Sequence, residues 1–250
     1  MNLHVLAVGT ARGKDLSKYV AMPDFRKATA NMVKCYAAVE PILEKFPKLT
    51  QSETGTALIL GSSYGEMAMT TEFLNTLATQ GIARPLLFQN SLHNATLGFL
   101  AIRLGITGPS MTLSHRHFTG ENCLEAASLL LGSGTPLCIV MSVESRVTEL
   151  GPAMRQNYPS VVELGEGAAA LLLASEETAR RLGLPSLAVI DSVECASDCG
   201  GDLSGSYYDS DALERLVNAI EDASCSGVLP RELKLHKPDR SSSTLVLSRA

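Results

Sequence analysis

The stretch from Gly105 to Ser145 reads GITGPSMTLSHRHFTGENCLEAASLLLGSGTPLCIVMSVES. A short strand, Ser110 to Ser114, runs straight into a helix that starts near Thr119 and stops at the Gly-Ser-Gly turn. A fully apolar strand, Leu137 to Val143, follows. Short apolar strands that alternate with helices belong to a parallel or mixed sheet covered on both faces. The strand-to-helix junction holds His115, Arg116 and His117, at a place where many α/β enzymes carry a nucleophile.

The same alternation extends outward from this stretch. Val5 to Val8 and Thr56 to Leu60 read as buried strands. Asp24 to Phe46 carries Met32, Val33, Tyr36, Val39, Ile42 and Leu43 at helical spacing. Glu66 to Thr79 and Asn94 to Leu104 read as helices closed by Gly81 and Gly105. Downstream, Ala168 to Leu173 is an apolar strand, and Ser175 caps a helix through Leu182. Leu187 to Val193 is a strand, Ser197 to Ser210 a long Gly/Ser/Asp-rich loop, and Asp211 to Ala223 an amphipathic helix. Arg231 to Ser243 is polar and mixed in charge, and reads as a solvated connector before a last strand, Thr244 to Leu247. GAAALLLAS and SSTLVLSRA are small-residue entries into apolar strands, each closing a run of strands and helices; the similarity is faint.

The chain has 250 residues, 45% of them hydrophobic and 19% charged, which suits one large domain. No apolar run reaches the ~18–20 residues that span a bilayer. The first ten residues lack a positive n-region and read as a strand, so the expected location is the cytoplasm. A net charge of −5 argues against a nucleic-acid partner. Cys35, Cys123 and Cys138 fall in helical or strand patterns and read as buried small hydrophobes. Cys195 and Cys199 have no second pair at metal-ligand spacing, so no metal is expected. GSSYGE, Gly61 to Glu66, lacks the spacing and lysine of a phosphate loop and reads as a strand-to-helix turn.

Gly105, Gly108, Pro109 and Ser110, the strand from Gly134 to Glu144, and Gly165-Glu166-Gly167-Ala168 occur in an order that resembles the β-ketoacyl synthases of the thiolase superfamily. Pro85, Asn94 and Gly98 match further positions upstream, and PDFRKATANMVKCYAAVEPIL resembles an N-terminal helix of that family. The resemblance runs continuously over residues 1 to 182. It implies a thiolase-like layered α/β/α/β/α fold in a single domain (1–250), with an intact N-terminal half (1–182) and a shortened C-terminal half (183–250).

Counted from Pro109, the family's catalytic cysteine position falls on His117. There a helix N-terminus lowers the thiol pKa and its N–H groups hold the thioester oxyanion. Cys123 lies one and a half turns further on and is expected to face the core. The family's two catalytic histidines belong to its C-terminal half, yet neither H-G-T-G-T nor N-x-x-F-G-F-G-G occurs here. His236 is the one histidine after His117. Without thiolate and imidazoles, decarboxylative condensation has no machinery.

The resemblance therefore implies a chain length factor, the non-catalytic partner in a type II ketosynthase heterodimer, of the shortened kind found in bacterial aryl polyene pathways. It implies a full-length ketosynthase partner, an acyl carrier protein met through that partner, and no cofactor. The expected tunnel and interface residues are Leu87, Phe88, Met111, Thr112, Ser114, His115, Arg116 and Phe118, with His117 as the vestigial nucleophile position. Two other readings stand beside this one. In one, His115 or His117 acts as acid or base on a small acyl thioester, for example in decarboxylation; in the other, the chain is a scaffold only. Glu144 at a strand end reads as a hydrogen-bonded structural acid, and His93 as a residue at a helix start. RELKLHKPDR is basic enough to touch an acidic carrier protein, the alternative to a solvated connector.

Overall fold

The computed structural model describes residues 2–50, 55–147, 150–157, 163–196, 206–207, 211–239 and 241–249. In chain order these residues form β1 (Leu3–Thr10), α1 (Ser17–Val20), α2 (Ala30–Lys45), β2 (Ala57–Gly61), α3 (Met67–Gln80), α4 (Pro85–Asn90), α5 (Ala95–Leu104) and β3 (Ser110–Leu113). They continue with α6 (Thr119–Gly132), β4 (Leu137–Glu144), α7 (Leu150–Asn157), β5 (Glu163–Leu164), β6 (Gly167–Ser175), α8 (Glu176–Leu182) and β7 (Ala188–Ala196). The last elements are β8 (Ser206–Tyr207), α9 (Ala212–Ser226), β9 (Glu232–His236) and β10 (Ser242–Ser248).

Eight strands form one mixed sheet in the order β3-β2-β4-β6-β1-β7-β10-β9, and β5 pairs with β8 apart from it. β3, β2 and β4 run parallel, as their helical crossovers require, and every other pairing in the large sheet is antiparallel. Successive residues of a strand point to opposite faces. Leu58 and Leu60 therefore join a core under α2 and α5, while Ala57 and Ile59 join a second core under α6 and α9. The expected layered α/β fold is thus present. The C-terminal strands β7, β10 and β9 extend the sheet at the edge away from β3.

Two glycines explain motif positions. A Cβ on Gly108 would lie 2.1 Å from the Thr56 carbonyl oxygen, so only glycine lets the chain cross beside β2 before entering β3. A Cβ on Gly61 would lie 2.7 Å from Cys123 Sγ, so the first turns of α6 rest on the end of β2.

Three expectations change. The helix expected from Asp24 begins at Ala30, because Pro23–Phe25 makes a separate 3₁₀ turn and the Thr29 hydroxyl accepts the Met32 N–H as an N-cap. Pro85–Asn90, not read as an element, is a short helix with proline in its first turn. The solvated connector Arg231–Ser243 is instead the hairpin of β9 and β10, with Leu235 and Lys237 buried. The expected loop Ser197–Ser210 lies outside the described residues apart from Ser206–Tyr207.

Candidate functional site

Ligand sites in parallel α/β sheets lie at the carboxyl ends of the strands, which here are the ends of β2, β3 and β4. After β3 the chain turns through Ser114 and His115, makes one 3₁₀ turn at Arg116–Phe118, and enters α6. Thr119 pins this elbow. Its hydroxyl accepts the His115 N–H at 3.0 Å and sits 2.8 Å from Ser63 Oγ. Ser114 Oγ donates to the Ser63 carbonyl at 3.3 Å. Glu144, at the end of β4, accepts from the Ser63 N–H and from Ser62 Oγ at 3.2 Å. The carboxylate is 2% exposed, so it is the structural acid the sequence suggested.

His117 is 4% exposed, and its Nε2 lies 3.9 Å from Asp239 Oδ2, in the turn between β9 and β10. Burial pushes the Asp239 carboxyl up, but the hydrogen bonds from the Ser241 hydroxyl and N–H, together with His117, hold it below the usual carboxylate range. One turn into α6, Glu121 meets Lys237 at 2.8 Å, both side chains fully buried. Ser243 Oγ donates to the same carboxylate. Sequence reasoning missed this pair. Its signal was the alternation Leu233, Leu235, Lys237, which carries the inner row of β9 one residue past the strand's end to the lysine.

A second polar cluster lies beside the elbow. Lys34 Nζ is 2.6 Å from Glu166 and 3.1 Å from Ser145 Oγ, and Ser145 Oγ donates to Asn31 Oδ1 at 2.5 Å. Glu66 accepts from the hydroxyls of Thr29, at 2.8 Å, and Thr96. Burial pushes the Glu66 carboxyl above its ordinary value, more than the two hydroxyls and Lys34 lower it. A carboxyl raised in the folded state contributes stability that is full below its ordinary value of 4.5 and is lost as pH rises through the folded value. Glu66→Gln is therefore expected to be more stable than the parent at pH 8, with a flatter pH dependence above pH 5. Urea melts at both pH values check this; a less stable variant at pH 8 would show that the site needs the charge.

Cys123 and Cys138 are fully buried, Cys123 facing the core as expected; burial pushes the first thiol up strongly and the second up to about 12. Neither supplies a thiolate near neutral pH. Among the described residues no three His, Cys, Asp or Glu side chains converge as a metal site, and no helix is long and apolar enough to cross a membrane. Lys237 is 1% exposed, so it is not a surface contact for a carrier protein.

The remaining expected residues split into two groups. Met111 and Thr112 lie half-buried on β3, the edge strand, and Ser114 and His115 are exposed just beyond it. Arg116 and Phe118 belong to the 3₁₀ turn, where the Phe118 ring lies 5.8 Å from Lys237 Nζ. Leu87 is half-buried and Phe88 56% exposed on α4, with the Phe88 ring 5.6 Å from that of Phe73. α5 packs against both α4 and β3 and so lies between the two groups. A cavity of about 450 Å³ opens between α4, α5 and the segment of Asp24, Lys27 and Met32, lined also by Leu86, Phe99 and Ile102; neither Leu87 nor Phe88 nor a residue of β3 lines it. Ile102 is 85% exposed.

Residues 41–196 match the model of the β-ketoacyl synthase N-terminal domain. No curated protein matches the chain. Among solved structures, it is similar to the ketosynthase in complex with its chain length factor from Xenorhabdus doucetiae, with a TM-score of 0.70 and 16% identity over 98% of this chain and 99% of that one. It is similar to the ishigamide ketosynthase/chain length factor, at TM-score 0.76 and 15% identity over 99% of each chain. It also matches a type II polyketide ketosynthase complex with its acyl-carrier protein, at TM-score 0.80 and 14% identity over 100% of this chain and 99% of that one.

Proposed function

We propose, because the chain belongs to the β-ketoacyl synthase family, that it is a non-catalytic chain length factor: the subunit of a ketosynthase heterodimer that bounds the acyl tunnel and supports its catalytic partner. One observation carries this reading. His117, which the count from Pro109 puts at the family's nucleophile position, is buried against Asp239, where it can neither be acylated as a thiol would be nor reach a substrate from solvent. The edge of β3, which no other strand pairs among the described residues, and the exposed apolar residues of α3–α5 support a partner on that side. The full-length ketosynthase supplies cysteine and histidines, and the acyl carrier protein docks through it. The pathway is aryl polyene biosynthesis in the cytoplasm. The role is steric: side chains at the tunnel's end set how many extension cycles fit.

Leu87 and Phe88, with Met111 and Thr112 across α5, are the proposed measuring surface. Phe88→Ala and Leu87→Ala should lengthen the product of the complex, and Leu87→Trp should shorten it. The first acylation of the partner should stay unchanged. Because Phe88 is more than half exposed, its truncation should cost far less stability than the ~3–5 kcal/mol of a fully buried ring. Product length by mass spectrometry, with heterodimer formation checked in parallel, tests this. An unchanged distribution in all three variants would leave the scaffold role. Decarboxylation of a malonyl thioester by the isolated chain would instead favour an independent enzyme built on His115, the exposed imidazole of the elbow.

A further inference from the structure

We infer that the turn between β9 and β10 is a built-in occupant of the elbow: Lys237 and Asp239 fill the place in front of the first turn of α6, so that the elbow takes no acyl thioester even when given a nucleophile. The two side chains reach different parts of it. Lys237 Nζ lies 2.8 Å from Glu121 and 5.8 Å from the centre of the Phe118 ring, with no exposed surface. Asp239 lies 3.9 Å from His117 Nε2. The turn that carries them is tightly held. Lys237 N–H donates to the Ser241 carbonyl at 2.9 Å, and Asp239 Oδ1 accepts the Ser241 N–H at 3.0 Å and its hydroxyl at 2.5 Å. Pro238 between them is buried and fixes its own φ. On either side the strands stay in register, Ser242 opposite His236.

Electrostatics points the same way. The N-terminus of a helix favours negative charge and so would hold an acyl oxyanion. At α6 that field already faces an internal carboxylate, Glu121, whose charge Lys237 balances. Acyl transfer to a thiol at position 117 would form a bond from Sγ to the carbonyl carbon. It would break the donor's C–S bond and release the donor as a free thiol. The carbonyl must approach within bonding distance of Sγ, next to the Asp239 carboxylate. This inference concerns the chain's own elbow and stands whether or not a ketosynthase partner binds.

The test uses the full chain carrying His117→Cys, treated with iodoacetamide and mapped by mass spectrometry. Exposed Cys225 and buried Cys123 and Cys138 serve as internal references. The introduced thiol is expected to react about 100-fold more slowly than Cys225, as a group reached only by local opening does. Adding Asp239→Ala should raise its rate at least about 10-fold, with Cys123 and Cys138 still protected. If that variant also exposes Cys123, Ser241→Ala, which removes the hydroxyl that holds Asp239 over the elbow without stranding a buried charge, is read in its place. Three results would overturn the inference. One is a thiol as reactive as Cys225 with the turn intact. Another is acyl transfer to it from butyryl-coenzyme A with the turn intact. The third is unchanged protection once the turn is loosened in a chain whose Cys123 stays unreactive.

Discussion

Lys237→Ala is expected to destabilise the chain by about 3–5 kcal/mol, and Glu121→Ala by a similar amount. Each single change strands the other charge in a fully buried site. A buried ion has lost its hydration and regains little from the protein once its counter-ion is gone. Ser243 Oγ and the Phe118 ring would remain beside the survivor, and neither carries a compensating charge. Removing both charges should cost far less. Glu121→Gln with Lys237→Met keeps the volume of both side chains and leaves no ion unpaired, so it should come within about 1 kcal/mol of the parent. Urea denaturation of the parent, Glu121→Gln, Lys237→Met and their combination forms the double-mutant cycle, with the two alanine variants read beside it. Single variants that each cost under about 1 kcal/mol would mean that water reaches the pair and that the hairpin does not depend on it.

The contrast between that pair and the rest of the chain shows what the sequence could disclose. The strands β2, β4 and β6 are buried on both faces, so they appear as continuous apolar runs, and their borders were legible within a residue or two. Helix ends marked by glycine, such as Gly81 and Gly105, were legible for the same reason: the left-handed backbone at φ 67° and 63° is glycine's own. The hairpin of β9 and β10 was misread because charge was taken for exposure. Glu232 and Lys234 do face solvent, but Lys237 continues the inner row of Leu233 and Leu235 and is paid for by a glutamate 116 positions earlier. No local pattern encodes a partner at that separation. Likewise the position of His117 in the elbow could be counted from Pro109, whereas its cover by Asp239 depends on the tertiary fold alone.

The apolar surface of α3 to α5 gives the second large effect. If the chain is the proposed chain length factor, Ile102→Glu is expected to weaken assembly with its ketosynthase partner by about 100-fold or more while leaving the isolated chain's stability unchanged. Ile102 is 85% exposed, so in the isolated chain a carboxylate there stays hydrated and displaces no core contact. In a heterodimer that buries this surface, the same carboxylate would lose its water without gaining a counter-charge, a penalty of several kcal/mol. The neighbours make the surface more than one stray residue: Leu86 and Leu92 line the same cavity, and Leu74, Leu77, Ile82 and Phe88 are also exposed. Apolar exposure on that scale favours association, so the isolated chain should self-associate and co-expression with the partner should suppress this. Val228→Glu is the control. It replaces another exposed apolar residue, at 70%, but lies in the link from α9 to β9, the sheet edge opposite β3. Titration of each variant against the ketosynthase, read by sedimentation velocity, separates the cases. Equal weakening by both would point to general loss of solubility, and full-strength binding by Ile102→Glu would place the partner on another face of the molecule.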